Sequence, residues 1–229
     1  MQRLARLVVT AFSNLVAIAA PERCAACDES TSVGSLFCAV CEQLAPGLAE
    51  RVTLSDGTPV VALGTYGGPL REAIRHLKYG NRPDLARPFG ERLARAADAG
   101  MLPPDAVFVP VPLHRKRLAE RGYNQSALVA AVVAGRLGRK STARALVRTR
   151  VTAEQANLLR ADRLRNVAGA FETIATFHGR SVVLVDDVVT TGATVHACIR
   201  ALESARNRVI AVAALGVRTR DQPTLEKRG

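Results

Sequence analysis

Residues 182–194, VVLVDDVVTTGAT, constrain the fold of this 229-residue chain more than any other stretch. Four apolar β-forming residues at 182–185 lead into Asp186 and Asp187, and a turn of small residues then opens a helical pattern. A continuous apolar run predicts a strand that is buried on both faces, as in parallel sheets. Open α/β sheets bind ligands beyond the carboxyl ends of such strands. The stretch therefore predicts an α/β fold with a ligand site at this point.

The residues after the apolar run suit a phosphorylated sugar. A turn rich in Thr and Gly before a helix offers backbone N–H groups, hydroxyls and the positive helix end to a phosphate. The candidate phosphate residues are Thr190, Thr191, Gly192, Ala193 and Thr194. Asp186 and Asp187 can hold a pair of sugar hydroxyls or a hydrated Mg²⁺. The alternative is a buried strand whose acid pair only caps an exposed turn.

The strand of a nucleoside triphosphatase also ends in acidic residues, but it requires a phosphate-binding loop upstream. The nearest match, GRLGRKS at 135–141, has Arg139 where that loop needs the glycine before its lysine. This departure excludes the triphosphatase interpretation.

The basic charge of the chain is concentrated in its middle. The net charge is +12, and residues 61–165 carry 20 basic and 8 acidic side chains. Such a surplus fits pyrophosphate groups or a nucleic-acid backbone, although solubilising arginines alone also produce it. An aromatic content of 4% with no Trp leaves few stacking platforms for single-stranded nucleic acid.

Residues 106–126, AVFVPVPLHRKRLAERGYNQS, form the second informative stretch. A short strand with two prolines leads into a cationic loop, and Gly122 leads into a helix with deeply buried apolar content. The cations of the loop are His114, Arg115, Lys116, Arg117 and Arg121. Because arginine suits bidentate phosphate contacts, we interpret this loop as a pyrophosphate site, with a solvated basic loop as the alternative. Whether His114 donates to a phosphate oxygen stays open.

Four cysteines near the N-terminus have the spacing of a structural zinc site. Cys24 and Cys27 form one CxxC pair, and Cys38 and Cys41 form a second pair after ten intervening residues. Four thiolates close a tetrahedron around Zn²⁺, whereas two disulfides in a secreted protein are the alternative. Cys198 is expected to be a small buried side chain in the helix after the acid pair.

The patterns divide the chain into three regions. We expect an N-terminal helix with the four-cysteine module at 1–58, an α/β domain at 59–217 and a disordered tail at 218–229. The first 20 residues predict an amphipathic helix, with a secretory signal as the alternative. Polar and charged residues interrupt their apolar stretch too often for it to span a membrane. Reduced, zinc-binding cysteines fit a cytoplasmic location.

Further elements complete the α/β pattern. Residues 59–68 are predicted to form a strand, residues 69–100 two helices and residues 207–217 a last strand. The first of these helices carries His76, which is expected to be a surface or half-buried side chain. The end of the same helix and the residues after it form a basic edge with one aromatic side chain. This edge is either a contact surface or only a solvated helix face. It consists of Arg75, Lys78, Tyr79 and Arg82.

Residues 182–194 resemble the PRPP signature of type I phosphoribosyltransferases. The resemblance implies a mostly parallel sheet flanked by helices, ribose hydroxyls of PRPP on Asp186 and Asp187, and its 5′-phosphate at 190–194. It also implies that the pyrophosphate loop follows the first core strand, where the cations at 114–121 lie. Thr190 stands where hypoxanthine-type enzymes carry an acidic base, and a hydroxyl cannot take up a purine proton as a carboxylate can. A 6-oxopurine acceptor is therefore disfavoured.

The whole layout resembles the ComF family, the competence-associated phosphoribosyltransferase-like proteins of bacteria. The resemblance is carried by the two CxxC pairs, REAIRHLKYG, PVPLHRKRLAERGYNQS, the segment from Arg150 through Gln155 to Asn166, and the PRPP signature. It implies Mg²⁺-dependent transfer of a phosphoribosyl group to an unknown acceptor, with a link to DNA uptake. The segment at 150–166 would close over PRPP, or it is an exposed basic helix. The alternative function is an accessory protein that binds single-stranded DNA or competence proteins, with PRPP as a regulatory or residual ligand.

Overall fold

The computed structural model describes residues 23–32, 34–45, 49–97, 102–150 and 169–218. The expected N-terminal amphipathic helix, the segment at 151–168 and the tail from residue 219 lie outside the described residues. No helix within these ranges has the length and the apolar content that crossing a bilayer requires.

A six-stranded sheet forms the centre of the molecule. Its strands are β1 Glu50–Thr53, β2 Pro59–Ala62, β3 Val107–Pro110, β4 Lys140–Ser141, β7 Ser181–Val189 and β8 Arg208–Val217. They lie in the order β1-β2-β8-β7-β3-β4. β1 pairs antiparallel with β2, and the other neighbours pair in parallel. A separate antiparallel hairpin consists of β5 Leu146–Arg148 and β6 Phe171–Thr173. The predicted mostly parallel sheet is confirmed.

Helices flank the sheet, as the α/β interpretation predicts. In the described residues they are α1 Ala39–Leu44, α2 Gly68–Tyr79, α3 Ala86–Ala97, α4 Arg115–Arg121, α5 Gln125–Arg136 and α6 Ala193–Ser204. The two helices predicted at 69–100 are α2 and α3, and a short 3-10 turn at Pro83–Leu85 separates them. Proline fixes φ and lacks an N–H, so the chain breaks there.

The central strand β7 is buried on both faces, as its unbroken apolar sequence predicts. Val183 and Val185 pack into one hydrophobic cluster with α2, α3 and α5. Val182 and Leu184 pack into a second cluster with α6 and the β5–β6 hairpin. β7 continues to Val189, so the acid pair lies inside the strand and not after its end. Because side chains alternate along a strand, the two carboxylates are directed to opposite faces of the sheet.

The cysteine module is part of the first hydrophobic cluster. Cys24, Ala25, Leu36 and Phe37 are buried there together with the apolar faces of α2 and α3. The edge strand β1, which lies in the region assigned from sequence to residues 1–58, pairs with β2 over four residue pairs. The N-terminal region therefore contributes both to the core and to the sheet that carries the acid pair.

Candidate functional site

Two adjacent carboxylates occupy the middle of the molecule. Asp186 and Asp187 are 8% and 7% exposed, and the backbone N–H of Asp187 donates to Asp186 Oδ1 at 2.8 Å. Burial, followed by the charge of Asp187, raises the pKa of Asp186 to about 7. A cation or a set of hydroxyl donors at this point would compensate the buried negative charge.

Side chains from two helices hold Asp187. Lys78 of α2 places Nζ 2.6 Å from Asp187 Oδ1, and Gln125 of α5 donates from Nε2 to Asp187 Oδ2. Burial by itself lowers the pKa of Lys78, but the charge of Asp187 and its hydrogen bond outweigh burial and leave this pKa raised. Lys78 is thus the charged counter-ion of Asp187.

Sequence reasoning missed both partners of Asp187. The solvated-face interpretation is wrong for Lys78, whose side chain is only 17% exposed, while Tyr79 beside it is 71% exposed. Lys78 lies four residues after the buried Ile74, so helical spacing places it at the border of the buried face. Gln125 lies in the same way four residues before the buried Val129. This spacing identifies both as polar residues on buried helix faces.

The turn after β7 has the conformation of a helix N-terminal anion site. Gly192 is the N-cap of α6 with φ +75°, a conformation that residues with a Cβ rarely adopt. Thr191 Oγ1 accepts from the backbone N–H of Ala193 at 3.4 Å. The first turn of α6 contains no acidic residue, so the positive end of the helix dipole is not cancelled there. The predicted turn followed by a helix is confirmed, with Thr190 and Thr194 on either side of this cap.

The hairpin between β1 and β2 supports the turn at 190–194 from outside. His196, in the first turn of α6, has its Nδ1 2.7 Å from Asp56 Oδ2 and its Nε2 3.3 Å from Ser55 Oγ. Burial alone raises the pKa of Asp56, but hydrogen bonds from Thr58 and the nearby His196 outweigh burial and lower it. A Cβ on Gly192 would lie 3.3 Å from the His196 ring. The ring thus packs directly under the turn.

The cationic stretch after β3 is a helix, and this corrects the expected loop. His114 caps α4, because its Nδ1 accepts from the backbone N–H of Lys116 at 3.2 Å. Gly122 ends α4 in the left-handed conformation, with φ +79°. A side-chain cap and a C-terminal glycine are sufficient to define a short helix. The sequence predicts a loop here because charged residues dominate the stretch.

Helix α4 divides the cations that the sequence grouped together. Arg115 and Lys116 are exposed to solvent. Arg117 and Arg121 line a cavity of about 300 Å³ between the end of α2 and α4. The same cavity is lined by Lys78, Tyr79, Asn81, Glu120 and Tyr123. It therefore joins part of the predicted pyrophosphate loop to the counter-ion of Asp187.

The four N-terminal cysteines lie together, as predicted. The Sγ atoms of Cys24, Cys27, Cys38 and Cys41 all lie within 4.8 Å of one another, and all four are free thiols. Burial raises the pKa of the Cys24 thiol, but hydrogen bonds from the backbone of Cys27, Cys38 and Ala26 lower it to about 6. Burial raises the pKa of Cys41. Four thiols at this separation can hold a metal ion. Cys198 is fully buried, as expected.

Comparison with known proteins gives one domain family and several relatives. Residues 127–228 match the phosphoribosyl transferase domain. The DNA utilization protein YhgH of Escherichia coli (strain K12) is 34% identical over 177 residues, which cover 75% of this chain and 74% of that protein. Competence protein F of Haemophilus influenzae is 32% identical over 60% of this chain and 63% of its own length. Competence protein ComFC of Bacillus subtilis is 26% identical over 78% of this chain and 70% of its own length.

Proposed function

Because this chain belongs to the ComF family of competence proteins with a phosphoribosyltransferase domain, we propose that it binds PRPP with Mg²⁺ and transfers the phosphoribosyl group to an acceptor. The observation that carries the proposal is the sequence of elements around β7. A strand with two buried carboxylates runs into a glycine-capped helix N-terminus. Such a site offers acceptors to a sugar diol and donors to a phosphate within a few residues of each other.

The donor would be held at both ends of its ribose. The carboxylates of Asp186 and Asp187 accept hydrogen bonds from the ribose hydroxyls. The 5′-phosphate binds at the turn, where backbone N–H groups and the hydroxyls of Thr190, Thr191 and Thr194 are donors, with Gly192 and Ala193 allowing close approach. The acceptor forms a bond to C1 of the ribose while the C1–O bond breaks, and the electron pair of that bond leaves with pyrophosphate.

The carboxylate oxygens also fit Mg²⁺, which prefers hard oxygen ligands. When bound, Mg²⁺ stabilises the negative charge on the departing pyrophosphate. Among the cations of α4, Arg117 and Arg121 are directed to the cavity beside Lys78, and we assign them to the pyrophosphate group. His114, Arg115 and Lys116 lie at the first turn of α4. The ring of His114 is engaged through Nδ1, so Nε2 is its remaining nitrogen for a phosphate oxygen.

The four-cysteine site is assigned to structural Zn²⁺. Four Zn–S bonds of about 2.3 Å suit a closed tetrahedral site, and Cys27 Sγ already lies 3.6 Å from Cys38 Sγ. Reduced thiols of this kind fit the cytoplasm, where we place the protein. The acceptor stays unspecified, but Thr190 offers no carboxylate to take up the proton of a 6-oxopurine.

Calorimetric titration with PRPP and Mg²⁺ tests the binding site. We expect saturable binding to the wild-type protein and its loss in the Asp186→Asn/Asp187→Asn double variant, because the amides remove the charge that holds Mg²⁺. Arg71→Met on the outer part of α2 is the matched control. Catalysis is then tested by pyrophosphate release from PRPP with a panel of bases and amines. Unchanged PRPP affinity in the double variant would contradict the site.

A second candidate function rests on the division of the cations by α4. Arg115 and Lys116 are exposed to solvent, and the names of the relatives refer to DNA utilization and competence. In this function the protein binds single-stranded DNA or competence proteins through this surface, and PRPP has a regulatory or residual role. Affinity for an oligonucleotide should then fall steeply with salt, and the Arg115→Ala/Lys116→Ala variant should show a shallower salt dependence. An identical slope in both proteins would exclude this surface.

A further inference from the structure

A serine, a histidine and an aspartate form a hydrogen-bonded series beside the turn at 190–194. His196 of α6 places Nδ1 2.7 Å from Asp56 Oδ2 and Nε2 3.3 Å from Ser55 Oγ. Ser55 and Asp56 lie in the turn that joins β1 to β2, whereas His196 lies 140 residues after Asp56 in the chain. The hairpin and α6 therefore bring together the three side chains that nucleophilic acyl transfer requires.

The proton positions in this series follow from Asp56. Burial alone raises the pKa of this carboxyl, but hydrogen bonds from Thr58 and the nearby His196 outweigh burial and lower it. The carboxylate is therefore ionised at neutral pH and can only accept hydrogen bonds, so His196 Nδ1 carries a proton and donates. In the neutral ring, Nε2 is then an acceptor, and the Ser55 hydroxyl donates to it. This is the direction in which a base removes the proton of a nucleophile.

The ring of His196 is held in its orientation from two sides. The side chain is only 13% exposed, and its Cδ2 and Nε2 atoms would lie 3.3 Å from a Cβ on Gly192. On the other side, Asp56 is itself fixed, because its Oδ1 accepts from the backbone N–H of Thr58 at 2.9 Å. An aspartate held in this way selects the ring tautomer and stabilises the imidazolium that forms when the ring takes up a proton.

The turn of the hairpin also supplies donors for a developing oxyanion. The backbone N–H of Gly57 donates to the carbonyl oxygen of Leu54 at 3.0 Å, which closes a four-residue turn with Ser55 and Asp56 at its centre. Within the part of the chain that the structure describes, neither central N–H group has a hydrogen-bond partner. Acyl-transfer sites use the N–H of the nucleophile and a neighbouring N–H to hold the oxyanion. The N–H groups of Ser55 and Asp56 form such a pair.

We propose that Ser55 is the nucleophile of a second active site that hydrolyses small carboxylic esters, with His196 as the general base and Asp56 as the residue that orients it. Ser55 Oγ forms a bond to the acyl carbon while its proton passes to His196 Nε2. The two N–H groups of the turn stabilise the oxyanion. When the bond from the acyl carbon to the alcohol oxygen breaks, its electron pair leaves with that oxygen, which takes the proton from His196.

Water completes the reaction. A water molecule gives a proton to His196 Nε2 and forms a bond to the acyl carbon. The bond from that carbon to Ser55 Oγ then breaks, and Oγ takes the proton back from Nε2. The net reaction converts one ester and one water into a carboxylic acid and an alcohol.

The position of Ser55 defines the class of ester. Its side chain is exposed at the tip of the turn, so an ester reaches it directly from solvent. Leu54 beside it is half-buried and offers an apolar surface to a short acyl chain. None of the side chains assigned to PRPP takes part in these steps. Ester hydrolysis therefore stands or falls independently of the proposed function.

Labelling with a fluorophosphonate tests the nucleophile. An activated serine oxygen displaces fluoride from phosphorus, and mass spectrometry of peptides locates the label. We expect the label on Ser55 of the wild type and its loss in Ser55→Ala. Ser204→Ala is the matched control and should be labelled like the wild type, because this exposed serine at the end of α6 only donates to the carbonyl oxygen of Ala201. A folded wild-type protein without label on Ser55 would overturn the proposal.

Hydrolysis of p-nitrophenyl acetate, corrected for the rate in buffer, tests the base. We expect Ser55→Ala and His196→Asn to lower the rate on the order of a hundredfold. Asp56→Asn should lower it as well, because an amide can hold the wrong ring tautomer. Melting temperatures show whether His196→Asn loosens the hairpin, whereas Ser55→Ala removes only an exposed hydroxyl and retains the fold. An unchanged rate in Ser55→Ala would show that the three side chains have only a structural role.

Discussion

Among single residues, Asp186 has the environment that most affects pH dependence. Its carboxyl is buried beside a second carboxylate, and burial followed by that neighbouring charge raises its pKa to about 7. An unfolded aspartate has a pKa of about 3.9. The folded protein therefore retains a proton on Asp186 over a pH range in which the unfolded chain has lost it. Stability from this group is present at low pH and is lost as the pH rises from about 4 through about 7.

Replacing Asp186 by asparagine should remove this pH dependence. The amide oxygen of the asparagine would still accept from the backbone N–H of Asp187, the contact that Asp186 Oδ1 makes at 2.8 Å. We expect Asp186→Asn to raise the free energy of unfolding at pH 8 by roughly 2–4 kcal/mol, and at pH 5 by only about a third of that amount. Urea denaturation at the two pH values measures the difference. An equal effect at both would show that Asp186 does not titrate in this range.

The same carboxyl should give ligand binding the opposite pH dependence. Ribose hydroxyls and Mg²⁺ require the ionised form, so affinity for ribose 5-phosphate with Mg²⁺ is full above pH 7 and falls below it by up to tenfold per pH unit. Phosphate groups titrate near this range as well, so the comparison is between wild type and Asp187→Asn. Asp187→Asn removes the neighbouring charge, so the midpoint of its affinity-versus-pH curve should lie at lower pH than that of the wild type. Calorimetry from pH 5.5 to 8.5 provides both curves, and coincident midpoints would contradict the assignment.

Among the helices and strands, the contact between α3 and α5 depends on one glycine. A Cβ on Gly90 of α3 would lie 2.6 Å from Cβ and Cγ1 of Val132 in α5. The close approach of the two helices places α5, and therefore Gln125 in its first turn, against the sheet. Gly135 at the other end of α5 is exposed, and a Cβ there would meet no atom within 4 Å.

Alanine at these two glycines should have effects of opposite sign. Gly90→Ala should destabilise the protein by about 1–3 kcal/mol, because Val132 and the helix that carries it must move. Gly135→Ala should stabilise it by about 0.5–1 kcal/mol, since alanine restricts the unfolded chain and fits a helix. The free energies of unfolding from urea denaturation test both. Equal effects would mean that the α3–α5 contact adapts to a methyl group.

The sequence predicts the elements of this fold better than the contacts between them. The unbroken apolar run of β7 predicts a buried parallel strand, and helical spacing predicts α2, α3 and α6, because both signals are local. The length of β7 beyond Asp187 is not predictable in this way, since pairing of Val188 with Gly216 in β8 extends it. α4 was missed because its cap and its glycine stop lie within a run of charged residues that suggested a loop.

Contacts across the sheet explain the remaining differences at the candidate site. Lys78 and Gln125 lie 62 and more residues from Asp187 in the sequence, and no local pattern connects them with it. The sequence identified the acid pair, the glycine-containing turn at 190–194 and the four cysteines, because each of these groups is contiguous or regularly spaced. The contacts of Lys78 and Gln125 with Asp187 depend on how α2 and α5 pack over one face of β7, which only the tertiary structure defines.

At the scale of the whole molecule, helix α2 connects the cysteine module with the acid pair. His76 Nδ1 lies 2.7 Å from the carbonyl oxygen of Ala25, so this nitrogen carries the proton and donates. Two residues further along the same helix, Lys78 holds Asp187. Arg92 of α3 pairs with Glu42 of α1 at 2.6 Å. The module is therefore attached to both helices that cover one face of the sheet.

If the four cysteines hold Zn²⁺ as proposed, its removal should affect the whole molecule and not the module alone. Without the proposed Zn²⁺ the cysteine turns lose the ion that would join them, and buried Leu36 and Phe37 should no longer cover the core cluster that they share with α2 and α3. We expect chelation, or Cys27→Ser, to lower the melting temperature of the single unfolding transition by several degrees, about 2–4 °C for each kcal/mol lost. Pyrophosphate affinity should fall as well, because α2 carries Lys78.

Elemental analysis and calorimetry measure metal content and stability. Cys198→Ala is the control and should retain one zinc per chain, since this thiol is buried on the opposite face of the sheet with α6. An unchanged transition in metal-free protein would show that the module folds independently of the sheet.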